Sequence, residues 1–115
     1  MNLPLPKWCS PDCYKKLQEI ASIGYNIYSL NRELAKLTIG PTMEMFLNNI
    51  HDEKSGRKIY LYSAQDTNLS TITHALHLTG VPVLTDYGSA IIVEKLRDKK
   101  KNVYIKVRYQ LFLKN

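Results

Sequence analysis

The stretch KIYLYSAQDTNLSTITHAL, Lys58–Leu76, holds the pattern that decides the fold. An apolar run rich in Tyr and Ile, Ile59–Ala64, predicts a strand that is covered on both faces. Small polar residues follow, and Leu69, Ile72 and Leu76 then recur at helical spacing. The sequence therefore predicts a strand, a polar turn and a helix in direct succession.

Upstream of this stretch, the sequence predicts two helical regions. Ser10 and Pro11 supply an N-cap and a first-turn proline, so a helix begins there, with a break near Ser29–Asn31. Gly40 and Pro41 are expected to end this first region and to open a second helix. That second helix has one apolar face, which consists of Met43, Phe46, Leu47 and Ile50.

Downstream, the segments SAIIVEKLRD and NVYIKVRYQLFL predict two strands joined by a charged, solvated turn, Asp98–Asn102. The last strand alternates, which predicts one buried face made of Val103, Ile105, Val107 and Tyr109. Helices and strands in this order predict an α/β fold with a mixed sheet and helices on its faces. We expect a single domain over residues 1–115.

The composition is that of a globular protein, with 44% hydrophobic and 23% charged residues. The formal charge of +6 favours anionic partners, but the one charged run is better explained as a turn, so no nucleic acid is expected. No run of 18 apolar residues occurs, and the N-terminus does not resemble a signal peptide. Taken as it stands, the sequence predicts a soluble intracellular protein, unless it is a piece of a longer one.

The residue types that bind metals are sparse. Cys9 and Cys13 lie four apart and form either a strained disulfide or two free thiols, and the sequence leaves both open. Ser70, His74 and His77 fall on the side of their helix opposite the apolar residues. The two histidines are therefore expected to face solvent, and no carboxylate lies in register with them. We therefore expect neither a metal nor a cofactor.

The polar cluster Gln65–Asn68 is the candidate site. In an open α/β sheet, ligands bind outside the carboxyl end of a strand, and this cluster follows the predicted strand directly. The N–H groups at the start of the next helix suit a phosphate or another anion. Taken alone, however, Asp66 is explained more simply as the N-cap of that helix than as a catalytic acid.

Four segments in order along the chain resemble the histidine acid phosphatases, above all the animal lysosomal, prostatic and insect venom types. LYSAQDTNLSTITHAL resembles the second signature of that family, which usually reads Ser-Ala-His-Asp-Thr. The others are LPLPKW, GPTMEMFLNNI, and YGSAIIVEKL followed by VYIKVRY. The resemblance implies that residues 1–115 are the C-terminal portion of a three-layer α/β fold. It also implies the activity of that family, the hydrolysis of phosphomonoesters.

The resemblance also implies roles for individual residues. Asp66 matches the proton donor of the family, and Gln65 occupies the position of a phosphate-binding histidine, with Thr67 beside it in the substrate site. The nucleophilic histidine of the family lies in an Arg-His-Gly motif, which does not occur in these 115 residues. We therefore expect an inactive chain.

Two alternatives stay open. The chain could be a non-catalytic phosphate-binding or interaction protein, or an incomplete gene model of an active acid phosphatase. Apolar faces without their partners in the family fold predict exposed patches and a homodimer. Family members are typically secreted or lysosomal, which conflicts with the intracellular location that the sequence alone suggests. The location therefore stays open.

Overall fold

The structure, a computed structural model, describes residues 4–111, and it contains helices and an antiparallel pair of strands in that range. The α/β class expected from the sequence is confirmed. The elements follow the chain in the order α1 (Pro11–Asn26), a short 3₁₀ helix (Ile27–Ser29), α2 (Arg32–His51), α3 (Asp66–Ala75), β1 (Ala90–Arg97) and β2 (Val103–Gln110).

The start of α1 and the break after it lie where the sequence predicted them. The Ser10 hydroxyl accepts a hydrogen bond from the Cys13 N–H at 3.2 Å, which caps the first turn of α1. After the 3₁₀ helix, Asn31 is extended, and its side-chain oxygen accepts from the Leu34 N–H at 2.9 Å. A new helix therefore starts at a new cap.

The expected helix boundary at Gly40 and Pro41 is wrong, because α2 runs through both residues as one helix of 20 residues. Proline inside a helix removes one hydrogen bond and costs about 3 kcal/mol. Contacts on both sides offset this cost: Ile39 is buried, and the Phe46 ring packs on Tyr62 with 5.0 Å between centroids. Tertiary packing thus overrides the local signal.

The prediction of a strand at Ile59–Ala64 is also wrong. This segment has no regular secondary structure, and it pairs with neither of the strands within residues 4–111. Ile59 is 75% exposed and Leu61 is 91% exposed. A strand needs a neighbour to complete its hydrogen bonds, and the described residues supply none here. The sheet is therefore the antiparallel pair β1–β2.

The helix predicted after this segment is confirmed as α3, but its N-cap is Gln65 and not Asp66, which is the first helical residue. The Asn68 side-chain oxygen accepts from the Gln65 N–H at 3.1 Å, and the Asn68 N–H donates to the Gln65 carbonyl at 3.1 Å. Because Asp66 does not have to cap the helix, its carboxyl is available for other contacts.

The end of α3 lies before Gly80 and Pro82. His77 has a φ of 51°, and the N–H of Leu78 donates to the Thr73 carbonyl at 2.9 Å, the pattern of a Schellman motif. The middle of α3 is its buried part, which consists of Ser70, Thr71, Ile72 and Thr73. Ser70 is therefore buried, although it lies opposite the apolar positions, whereas His74 and His77 are exposed as expected.

The hairpin predicted from the last two strands is confirmed, with Ala90 opposite Gln110 and Arg97 opposite Val103. Asp98 organises its turn, accepting from the Asn102 N–H at 2.8 Å. The predicted buried face of β2 is only partly present. Its four members fall into two groups: Val107 and Tyr109 are half-buried, and Val103 and Ile105 are exposed.

The core of the described chain is small. Its buried hydrophobic residues are Cys9, Ile39 and Ile72, whereas α1 has no buried residue at all. The radius of gyration is 17.5 Å, against about 13 Å for a compact domain of this length. The helices thus keep apolar faces that nothing within residues 4–111 covers.

Candidate active site

A cavity of about 520 Å³ lies at the N-terminus of α3, and we call it the α3 pocket. One wall comes from Ala64, Gln65, Asp66 and Leu69, and the other from the loop Thr85–Ser89, which leads into β1. The pocket therefore lies at the polar cluster that the sequence identified as the candidate site.

The structure brings Gln65 and Asp66 into the pocket lining but not Thr67. The Thr67 N–H donates to Oδ1 of Asp66 at 2.7 Å. The next two N–H groups of the helix, those of Asn68 and Leu69, both donate to the Gln65 carbonyl. An anion that used the first-turn N–H groups would have to compete with these bonds.

Asp66 has a second partner that the sequence did not indicate. The Tyr25 hydroxyl, 41 residues earlier on α1, donates to Oδ2 of Asp66 at 2.5 Å. This bond raises the pKa of Tyr25 above its ordinary value, and partial burial and the charges of Asp66 and Tyr87 act in the same direction. Both oxygens of the Asp66 carboxyl are thus hydrogen-bonded, each from a different element.

The loop Thr85–Ser89 was also missed in the sequence analysis. Its Thr85 hydroxyl reaches the Asp66 carbonyl at 3.5 Å, and Gly88 has a φ of 75°, a value that favours glycine. Tyr87 is 100% exposed and Asp86 adds a second carboxylate to the pocket lining. A Gly that follows Asp and Tyr is a turn signal, but nothing in the sequence indicates that this turn faces Asp66.

The electrostatics of the α3 pocket do not suit a phosphate by themselves. The pocket lining contains two aspartates and no lysine, arginine or histidine. A phosphate dianion needs cationic partners or several N–H donors to offset its charge. The described walls of the pocket therefore supply an acid and an amide, but not the charge that a bound phosphate requires.

The other residues considered as ligands do not form a metal site. Cys9 and Cys13 are free thiols, and burial raises the pKa of Cys9, with the neighbouring Cys13 adding to the effect. His74 bonds through Nδ1 to the Ser29 hydroxyl at 2.6 Å. Across residues 4–111, no group of three or more His, Cys, Asp or Glu residues is arranged to hold a metal ion.

The part of the chain from residue 4 to residue 111 contains no candidate membrane span. None of its helices combines the length and the apolar character that crossing a bilayer requires.

Comparison with known proteins assigns the chain to a family. Residues 12–110 match the profile of the Histidine phosphatase superfamily (branch 2), and the chain therefore belongs to that family. This confirms the resemblance found in the sequence motifs.

The curated relatives are acid phosphatases. The chain is 34% identical to Venom acid phosphatase Acph-1 of Apis mellifera, over 96% of this chain and 29% of the relative. It is 29% identical to Prostatic acid phosphatase of Rattus norvegicus, over 84% of this chain and 27% of the relative. The match to Prostatic acid phosphatase of Homo sapiens is 27% identical and covers 95% of this chain and 29% of the relative. The chain thus spans less than a third of the length of these relatives, and no solved structure matches it significantly.

Proposed function

We propose that this chain forms the leaving-group side of a phosphomonoesterase site, with Asp66 as the proton donor. The observation that carries the proposal is the position of Asp66, which lines the α3 pocket at the first residue of α3. The match to the family over residues 12–110 supports the reaction type. The proposed ligand is a phosphomonoester or inorganic phosphate.

The proposed chemistry assigns one proton to Asp66. The phosphoryl group passes to a nucleophile, the bond between phosphorus and the leaving oxygen breaks, and that oxygen takes the proton of the Asp66 carboxyl. The leaving group departs as an alcohol, and Asp66 becomes a carboxylate. General acid catalysis of this kind contributes typically 10²- to 10⁴-fold in rate.

Gln65 is proposed as a weakened phosphate contact. Its amide can donate a hydrogen bond, but it is neutral and cannot replace the charge-assisted bond of the histidine that the family carries there. Loss of one such contact to the transition state commonly costs about 10²- to 10³-fold in rate. Thr67 is proposed to contact the substrate through its side chain, because its N–H donates to Oδ1 of Asp66.

We further propose that these 115 residues do not turn over phosphomonoesters by themselves. The sequence contains no Arg-His-Gly motif, and the α3 pocket lining has neither a histidine nor an arginine. The nucleophile and the cations that bind phosphate would have to come from the remainder of a family fold, because the chain spans less than a third of its relatives.

The test is an assay of the purified chain with an aryl phosphate at acid pH, beside Asp66→Ala. Asp86→Ala is the matched control, because it removes the other carboxylate of the same pocket. We expect no turnover in any of the three proteins. If the unmodified chain turns over, the proposed inactivity is wrong. If that turnover is also lost in Asp66→Ala and retained in Asp86→Ala, the result supports the role of Asp66.

A second proposed function is non-catalytic binding, including self-association into a homodimer, and the exposed surface favours it. The accessible area is 9803 Å², roughly 3,300 Å² more than expected for a compact monomer of this mass. Stable interfaces bury about 1,200–2,000 Å² in total, so the excess is large enough for one. Light scattering after size exclusion tests this: a dimer supports self-association, and a monomer at high concentration contradicts it.

A further inference from the structure

The bond between Tyr25 and Asp66 links two helices at the pocket. Tyr25 lies in the last turns of α1, and Asp66 is the first residue of α3. The donor–acceptor distance of 2.5 Å is at the short end of the range for O–H···O bonds. Asp66 is exposed, so without this bond only the N–H of Thr67 would restrain the rotamer of its carboxyl.

We propose that Tyr25 is a positioning residue that holds the Asp66 carboxyl in the orientation needed for proton donation, an inference that rests on the proposed role of Asp66. The Thr67 N–H fixes Oδ1, and the Tyr25 hydroxyl fixes Oδ2. Two bonds from different elements set the plane of the carboxyl group.

This arrangement also determines which oxygen carries the acid proton. The Thr67 N–H can only donate, so Oδ1 has to remain an acceptor. A phenol hydroxyl can either donate or accept, so the Tyr25 oxygen remains a suitable partner when Oδ2 carries the proton. Protonated Asp66 therefore carries its acid proton on Oδ2, where the Tyr25 oxygen can accept it before the substrate binds. When the O–H bond turns to the leaving-group oxygen and the proton is transferred, the Tyr25 hydroxyl donates again to Oδ2 of the carboxylate that remains.

Tyr25 is suited to this role throughout the acid and neutral range. The hydrogen bond to Asp66 raises its pKa, so the phenol stays protonated wherever an acid phosphatase would work. The charge of Tyr87, which lies on the opposite wall of the pocket, raises the pKa of Tyr25 in the same direction.

The first experiment measures the contact in the chain itself. With tyrosine labelled at Cζ with carbon-13, the Tyr25 signal, assigned with Tyr25→Phe, is followed by NMR during alkaline titration. We expect the titration midpoint of Tyr25 to lie above the ordinary pKa of tyrosine. This midpoint should fall in Asp66→Asn but not in Asp86→Asn. An ordinary midpoint in the unmodified chain, or no response to Asp66→Asn, would overturn the proposal.

The second experiment separates positioning from mere structure. The chain, completed with the amino-terminal portion of the honeybee venom acid phosphatase, is assayed with alkyl and dinitrophenyl phosphates. A dinitrophenolate leaves without a proton, whereas an alkoxide needs one. We expect Tyr25→Phe to lower kcat for the alkyl substrate roughly 10- to 100-fold, with KM and the dinitrophenyl rate almost unchanged. Tyr28→Phe, an exposed neighbour, should change neither rate.

The outcomes distinguish the two proposals. Equal slowing of both substrates by Tyr25→Phe would show a structural role and overturn the positioning role. If Asp66→Asn leaves the alkyl rate intact, the proposed function of Asp66 is wrong, and the positioning role that rests on it falls too. If the completed protein does not turn over, the NMR titration decides whether Tyr25 holds Asp66.

Discussion

Ile72→Ala tests whether the small core around α3 holds the described chain together. Ile72 is 5% exposed and lies in the buried middle of α3. The change removes three carbon atoms, and at about 0.8 kcal/mol for each buried CH₂ the transfer free energy is about 2.4 kcal/mol. A residual cavity adds to this cost, so we expect a loss of about 3 kcal/mol in the free energy of unfolding.

Ile23→Ala is the matched control on α1. Ile23 is 65% exposed, so about a third of the same transfer free energy applies, and we expect a loss below about 1 kcal/mol. Urea unfolding followed by the circular dichroism of the helices measures both variants. A domain is stabilised by only about 5–15 kcal/mol in total, so the difference in stability expected between the two variants is a large part of that total. Equal midpoints for the two variants would refute the assignment of the core to α3.

Three further predictions follow from single contacts. Asn31→Ala removes the cap of α2 and should lower the free energy of unfolding by about 1 kcal/mol. Asn31→Ser should retain most of the stability, because serine is also a good cap, and urea unfolding measures both variants. The Asn102 side chain holds the pKa of Asp98 below its ordinary value of 3.8, so the turn gains stability above that pH and loses it as pH falls through the lower, folded pKa. Asp98→Ala should therefore destabilise the chain at pH 7 and make little difference at strongly acid pH; an equal deficit at both would contradict this linkage. Gln65→His introduces an imidazolium at acid pH, so it should tighten phosphate binding several-fold at pH 5 but not at pH 8. Calorimetry measures the affinity of the variant at both pH values. If the variant binds phosphate equally well at pH 5 and pH 8, residue 65 does not contact the phosphate.

Local signals in the sequence predicted the parts of the fold that local bonds create. The start of α1 at Ser10, the break before Asn31 and the hairpin turn at Asp98 each depend on a side chain that bonds to the backbone three or four residues away. Such contacts lie within one short window of sequence. They could therefore be predicted without knowledge of the rest of the chain.

The errors occurred where distant contacts decide the structure. Gly40 and Pro41 have the local signature of a helix boundary, yet packing on either side keeps α2 continuous. Ile59–Ala64 has the composition of a buried strand, but a strand forms only beside a partner, and the described residues provide none. Local pattern alone could not reveal either outcome.

The candidate site was predicted in part for the same reason. Gln65 and Asp66 stand in a recognisable motif, and the structure places both in the α3 pocket. Tyr25 contacts Asp66 from 41 residues upstream, and the loop Thr85–Ser89 contacts it from about 20 residues downstream. No periodicity or motif in the sequence connects them to Asp66, because only the packing of α1 and the path of the chain before β1 bring them there.

The most direct test of the account is the rate of alkyl phosphate hydrolysis at acid pH by the chain completed with the amino-terminal portion of the honeybee relative. We compare Asp66→Asn with Asp86→Asn, which removes the other carboxylate of the pocket. The account predicts that Asp66→Asn lowers kcat by about 10²-fold or more, the usual contribution of a general acid, and that Asp86→Asn changes it little. An unchanged rate in Asp66→Asn would contradict the account.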